Sequence, residues 1–249
     1  MMNDMKESFC YKTILPKFYF IRNKYRKHKG IIRYSTYSKN GEDLKINEAL
    51  DFKEKGFYID IGANKPKECN NTYHFYKKGW SGINIEPNQE LIKELDIVRP
   101  RDLNLKIGVS NKKSIGRVFK FNNNLVNSTI NEDIKKHFIE KDKLVLKGSE
   151  KINILTLKDI FEEYVGGNNV DFLCIDTEGN DYNILLGNDW SKYKPKVICL
   201  EAFWLNENCI EDVREPFENF LRPFGYRVYC YVNNNIIFRL KELEKEYEV

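Results

Sequence analysis

The stretch Gly56-Phe-Tyr-Ile-Asp-Ile-Gly-Ala-Asn64 leaves this chain few folds to choose from. Phe57, Tyr58, Ile59 and Ile61 are aromatic or β-branched and lie between two glycines, a pattern that suits a strand buried on both faces better than a helix. The strand stops at Asp60-Ile-Gly62, which puts a carboxylate and bare backbone at its C-terminal edge. Open α/β sheets bind their ligands at that edge. Apolar runs at 82–85, 103–109, 170–175 and 197–200 read as further strands, with helical patterns at 44–52, 70–78, 91–96 and 157–164 and one that ends at Leu186. A helix at 213–221 precedes a hairpin of strands 225–231 and 236–239 about the Asn233-Asn234-Asn235 turn. The expected fold is α/β: a single Rossmann-like, doubly wound, mostly parallel seven-stranded sheet with an antiparallel edge strand. Only the region between strands three and four lacks a clear pattern. It reads as a strand at 118–121, a polar loop at 122–128, a helix at 129–138 capped by Ser128 or Thr129, and a short strand at 152–155. Irregular segments on a rigid sheet commonly build the substrate side of a site, so acceptor recognition is expected here.

The glycines narrow the ligand. A dinucleotide pyrophosphate needs GxGxxG, but Gly62-Ala63-Asn64 is followed by Lys65-Pro66 and no glycine until Gly79. The second strand ends in Glu86-Pro87-Asn88, and an acid there is placed to accept both hydroxyls of a ribose. Glu86 lies 26 residues after Asp60, near the roughly 20 expected of a ribose acid. An adenosine without phosphates, with an acid near a cationic end, describes S-adenosylmethionine (SAM). The acids Asp176 and Glu201 follow the strands at 170–175 and 197–200, so Asp60, Asp176 and Glu201 are expected to converge on one crevice. Three carboxylates cannot all be desolvated without a cation, which the cofactor, a divalent metal or a proton would supply.

A length of 249 residues suffices for one large α/β domain. Charge divides the chain: residues 1–33 carry a net +7 against +4 for the whole, so the remainder is −3. Residues 1–35 therefore read as a basic, aromatic N-terminal helical arm and 36–249 as the catalytic domain. The arm suits an anionic membrane surface, a nucleotide-sugar phosphate or a second subunit, so peripheral membrane contact and a homo-oligomer are both open to it. Nucleic acid is not expected as a partner, because the body is not basic and carries no binding motif. No apolar run approaches the ~18 residues of a transmembrane segment and no signal peptide is visible. The six scattered cysteines lack a CxxC pair and read as free thiols in a reducing cytoplasm.

Three segments carry a family resemblance. Gly56-Phe-Tyr-Ile-Asp-Ile-Gly-Ala-Asn64, then Asn71-Thr-Tyr-His-Phe-Tyr-Lys-Lys-Gly-Trp-Ser-Gly-Ile-Asn-Ile-Glu-Pro-Asn88, and Ile175-Asp-Thr-Glu-Gly179 resemble the FkbM family of SAM-dependent methyltransferases, with the likeness running from about residue 37 to 201. Ser38-Lys-Asn-Gly-Glu-Asp43 resembles a segment that precedes the fold in one branch of the family, with Lys39 where glutamine is usual. The resemblance implies that Gly41 and Glu42 line the methionine end of the cofactor. It also implies that Asp60, Gly62, Ala63, Asn64, Thr72, Glu86, Pro87, Asn88 and Asp176 surround the cofactor, and that Val109 and Ser110 lie beside the adenine, with Asp102 as a further local candidate. The implied activity is O-methylation of a sugar or other secondary alcohol, often in bacterial surface-polysaccharide pathways.

A sugar hydroxyl is a poor nucleophile at neutral pH. It needs a base, for which Glu178 is the leading candidate, or a metal that acidifies it, with Asp176, Glu178 and Glu201 as ligands and Mg²⁺ or Ca²⁺ favoured by such oxygen donors. Asn180 stands where family members often carry histidine and cannot serve as a base. Two other readings are a non-catalytic SAM-binding or assembly protein and a methyltransferase for a non-sugar small molecule. A dehydrogenase is disfavoured by the missing glycines.

Overall fold

The structure, a computed structural model, describes residues 35–121, 128–205, 210–212 and 214–241. Chain contacts separate Met1–Ser35 from Thr36–Val249, and the fold below is that of the second unit. The expected helical arm, up to residue 34, lies outside the described residues.

In chain order, α1 (Glu42–Ala49) leads into β1 (Phe57–Ile61), α2 (Tyr73–Lys77), β2 (Ser81–Ile85), α3 (Gln89–Val98) and β3 (Leu103–Leu105). An intervening section holds β4 (Gly108–Val109), β5 (Ser114–Phe121), β6 (Ser128–Thr129), α4 (Glu132–Glu140) and β7 (Leu146–Leu155). The chain returns through α5 (Leu157–Tyr164), β8 (Phe172–Ile175), α6 (Asp181–Leu186), β9 (Val197–Glu201), β10 (Phe203–Leu205), β11 (Ile210–Asp212), α7 (Arg214–Leu221), β12 (Tyr226–Val232) and β13 (Asn235–Leu240). The main sheet has seven strands in the order β12-β13-β9-β8-β1-β2-β3. β1 pairs in parallel with β2 and with β8, and β13 is the reversed strand, antiparallel to both β9 and the edge strand β12. The strand order reverses at β1 and β8, so the crevice opens at their carboxyl ends.

Side-chain alternation explains what faces that crevice. On one face of the sheet Ile59, Ile61, Leu173, Ile175, Ile198 and Leu200 enter one core cluster; on the other, Tyr58, Phe172, Cys174, Val197 and Cys199 enter a second with Phe75 and Trp80. Period-2 geometry puts Asp60 on the face of Tyr58 and Cys174, and the register sets Asp60 opposite Cys174. Two of the cysteines read as free thiols, Cys174 and Cys199, are buried there and free.

The intervening section differs from its sequence reading. The run at 103–109 divides: Leu103–Leu105 stays in the main sheet, whereas Gly108–Val109 leaves it to pair with β7 in a second, four-stranded sheet ordered β4-β7-β5-β6. The strand expected at 152–155 is ten residues long, since β7 pairs antiparallel with β5 along its length. Alternation alone cannot say which partner a strand takes. The helix expected at 129–138 begins at Glu132, because the Asn131 side chain accepts hydrogen bonds from the backbone N–H groups of Asp133 and Ile134 and caps it. Similarly, α1 ends at Ala49 rather than residue 52, where Asp51 and Phe52 turn to positive φ. Thr156 caps α5 in a reciprocal capping box with Asp159.

Candidate active site

A cavity of about 590 Å³ opens at the carboxyl ends of β1, β2, β8 and β9. Its first wall is the turn after β1. Gly62 adopts φ +83°, and a Cβ there would lie 1.8 Å from the backbone oxygen of Asp176, so only glycine lets the ends of β1 and β8 approach this closely. The N–H groups of Gly62 and Ala63 both donate to the Ile85 carbonyl, at 2.9 and 3.1 Å, which draws the turn towards β2. Asp60 is buried in this wall; Thr72 Oγ1 donates to its Oδ2 at 2.6 Å and Asn70 Nδ2 at 3.3 Å. Burial raises its pKa, opposed by Arg99 and these two hydrogen bonds. Glu86 receives the backbone N–H of Asn64 on Oε2 and of Asn88 on Oε1, at 3.1 and 2.9 Å. Its burial outweighs those donors and, with the nearby Asp60 charge, pushes it up to about 7.

The adjoining wall, at the ends of β8 and β9, is acidic. Glu178, at φ +52°, and Gly179, at φ +86°, form a left-handed turn after β8. A Cβ at Gly179 would sit 2.7 Å from Ile134 Cδ1 of α4, and Asn131 Nδ2 donates to the Gly179 carbonyl at 3.3 Å. The intervening section therefore packs directly on the turn that carries Glu178. Burial, reinforced by Asp176 and Asp181, pushes Glu178 up to about 7, with Lys39 opposing. Asp176 is driven up to about 6 by its dense surroundings and the Asp60 charge, although its side chain is exposed where it lines the cavity. Glu201 rises to about 10 through burial and the charges of Asp176, Glu178 and Asp181, so at neutral pH it holds a proton that it shares with Asp176. Behind them Asp181 Oδ2 accepts from Thr177 N and Oγ1, and burial pushes it to about 7.

Eleven of the residues proposed from sequence line this one cavity: Glu42, Asp60, Gly62, Ala63, Asn64, Glu86, Pro87, Val109, Asp176, Glu178 and Glu201. Four others stand back from it. Thr72 is wholly buried behind Asp60, Asn88 caps α3, Gly41 forms the left-handed turn into α1, and Ser110 donates its N–H to the Leu155 carbonyl. Asp102 is at the start of β3, the end remote from the crevice, and accepts from Tyr58, Gly82 and Asn84. Sequence reasoning missed the lining asparagines Asn70 and Asn71, and Asn233–Asn235 entered it only as a turn. Arg99, buried behind Asp60, was also missed; a basic residue directly before a proline at the end of an apolar helix was its one signal. Among the described residues no group of three or more His, Cys, Asp or Glu side chains is arranged to hold a metal ion, so nothing here supports the Mg²⁺ that the acidic cluster suggested.

A parallel sheet whose first two strands end in acids around a deep cavity, with no pyrophosphate loop, defines a Rossmann-like SAM-dependent methyltransferase. The Methyltransferase FkbM domain matches residues 60–228, and the chain belongs to that family. Among solved structures it is similar to a TehB-like SAM-dependent methyltransferase from Corynebacterium glutamicum, at 10% identity and TM-score 0.38 over 90% of this chain and 97% of that one. It is also similar to the 1,6-didemethyltoxoflavin-N1-methyltransferase of Burkholderia thailandensis, solved with 1,6-didemethyltoxoflavin and S-adenosylhomocysteine, at 8% identity and TM-score 0.38 over 80% and 79% of the two chains. No protein of curated function matches the chain significantly. Among the described residues no helix is long and apolar enough to cross a membrane.

Proposed function

We propose that the protein is an O-methyltransferase that methylates a hydroxyl of a sugar, carried on a nucleotide or destined for a surface polysaccharide. The observation that carries this reading is the cavity wall at the ends of β8 and β9. Glu178, Asp176 and Glu201 line the cavity together with Asn40, Asn233 and Asn234, and no aromatic side chain is among the described lining residues. Such a wall offers hydrogen bonds to a polyol and no stacking surface to a planar ring.

SAM, when bound, supplies an electrophilic methyl on a sulfonium, so the new C–O bond forms as the C–S bond breaks. Glu86 holds the ribose hydroxyls, and the turn Gly62-Ala63-Asn64 and Asp60 fix the rest of the cofactor with Glu42 at its methionine end. Glu178 accepts the proton of the acceptor hydroxyl. A carboxyl at about 7 is matched to that task, being half ionised at neutral pH and more basic than an ordinary glutamate. Glu201, protonated at neutral pH, donates to Asp176 and so limits the negative charge beside the reacting oxygen. The reading is tested by incubating the protein with methyl-labelled SAM and a panel of free and nucleotide-linked sugars. Label on a sugar oxygen, lost in Glu178→Gln, is the expected result; label found only on amines or aromatic rings would overturn it.

A further inference from the structure

The guanidinium of Arg99 has no solvent exposure. Its Nε donates to Asp102 Oδ2 at 3.0 Å, Nη1 to Asn70 Oδ1 at 3.1 Å, and Nη2 to both Tyr58 OH at 2.8 Å and Thr72 Oγ1 at 2.7 Å. Asp102 does not require all of this, since Tyr58 OH, Gly82 N and Asn84 Nδ2 also donate to it. Two of the four bonds instead run towards the cavity. Thr72 Oγ1, receiving from Arg99, passes its own hydrogen to Asp60 Oδ2 at 2.6 Å. Asn70 Oδ1 is saturated by Arg99 and by the backbone N–H groups of Thr72 and Tyr73, at 3.0 and 2.8 Å. Its Nδ2 is thereby turned to Ala63 O, at 2.9 Å, and to Asp60 Oδ2. Arg99 thus joins the backbone N–H groups of Thr72 and Tyr73 in holding the Asn70 amide, and by donating to Thr72 Oγ1 it turns that hydroxyl's own hydrogen towards Asp60, the shorter contact, rather than Asn70 Oδ1 at 3.0 Å. A buried cation between two buried carboxylates is tolerated because each charge is hydrogen-bonded and compensated.

We propose that Arg99 is a positioning residue for the cofactor, one that acts through Thr72 and Asn70 to fix the Asp60 carboxyl and the Ala63 carbonyl in the cavity wall and to supply their counter-charge. The proposal rests on the reading of that wall as the cofactor site. It is tested by calorimetric titration of S-adenosylhomocysteine into the wild type, Thr72→Val, Thr72→Ser, Arg99→Met, Arg99→Lys and the double variant Arg99→Met/Thr72→Val, with thermal melts in parallel. Thr72→Val removes no charge and little volume, and weakens binding about tenfold, the size of one lost charge-assisted hydrogen bond. Thr72→Ser restores it, and Arg99→Lys falls between wild type and Arg99→Met. Because the two residues act in series, the double variant binds no more weakly than Arg99→Met alone. Should Arg99→Met fail to fold, the Thr72 pair still decides. Variants that bind like the wild type, or losses that simply add, would overturn the role of Arg99 alone. A wild type that does not bind at all overturns the cofactor wall and Arg99 with it.

Discussion

Replacing Glu178 by glutamine is expected to stabilise the ligand-free protein in a pH-dependent way. The folded state pushes this carboxyl from 4.5 to about 7. Folding therefore favours its protonated form, so its contribution is fully present below the unfolded value and lost as pH rises through about 7. Moving a carboxyl that far corresponds to about 3 kcal/mol, and this is an upper bound, because the side chain is only half buried where it lines the cavity. Glutamine keeps the shape and never ionises. The two proteins should melt alike at pH 4.5, and by pH 8 the variant should be more stable by up to about 3 kcal/mol, or roughly 6–12 °C in a chain of this size. Scanning calorimetry at half-unit pH steps measures the gap directly. A gap that is constant with pH, or that widens towards acid, would refute the assignment of Glu178 as a strained, desolvated carboxyl. Turnover should vanish in the same variant, giving a protein more stable and less active than its parent.

Three other substitutions test the walls separately. Gly62→Ala puts a methyl 1.8 Å from the Asp176 carbonyl at φ +83°, and should cost about 1 kcal/mol for the left-handed backbone and ~1–3 kcal/mol more for overpacking, lowering both the melting temperature and S-adenosylhomocysteine affinity. Wild-type values for both would show that the turn is looser than its geometry implies. Glu86→Gln should weaken cofactor binding about tenfold in calorimetry, because one charged acceptor of the ribose hydroxyls becomes neutral; unchanged affinity would remove Glu86 from the ribose. Lys39→Gln should move the pH of half-maximal turnover upward, since the Lys39 charge favours the ionised forms of Asp176 and Glu178, and a profile that stays or moves down would contradict this.

What the sequence disclosed depended on how locally each feature is encoded. The strand at β1 and the strand-end acids Asp60, Glu86, Asp176 and Glu201 all lie within short windows, and the sheet they predict is present. The division of 103–109 between two sheets was hidden, because Gly108 and Val109 are claimed by Ile154 and Leu155, more than forty residues away. Arg99 was hidden for a related reason. Its neighbours in sequence are Pro100 and Arg101, whereas its partners Tyr58, Asn70 and Thr72 come from β1 and the segment before α2. The contact of Ile134 with Gly179 likewise joins two segments that no periodicity connects, yet it ties the section expected to select the acceptor to the turn that carries Glu178.

The two ends of the cavity treat charge in opposite ways, and this yields a preference between cofactor and product. Asp60 has Arg99 behind it, while Asp176 and Glu178 have Lys39, which is exposed, and repel each other with Asp181 adding to the repulsion. SAM carries one positive charge more than S-adenosylhomocysteine, on the sulfonium that the proposed role of Glu178 brings within reach of the acidic wall. An opposite charge within a few ångströms of a partly desolvated carboxylate is worth about 1–4 kcal/mol. SAM should therefore bind at least about fivefold more tightly than S-adenosylhomocysteine at pH 8. The advantage should shrink towards pH 5, where Asp176, at about 6, and Glu178, at about 7, take up protons and lose their attraction for the sulfonium. Competition calorimetry with both ligands at the two pH values measures the difference. Equal affinities at pH 8, or a preference that grows as pH falls, would place the sulfonium away from the acidic wall and remove Glu178 from reach of the transferred methyl.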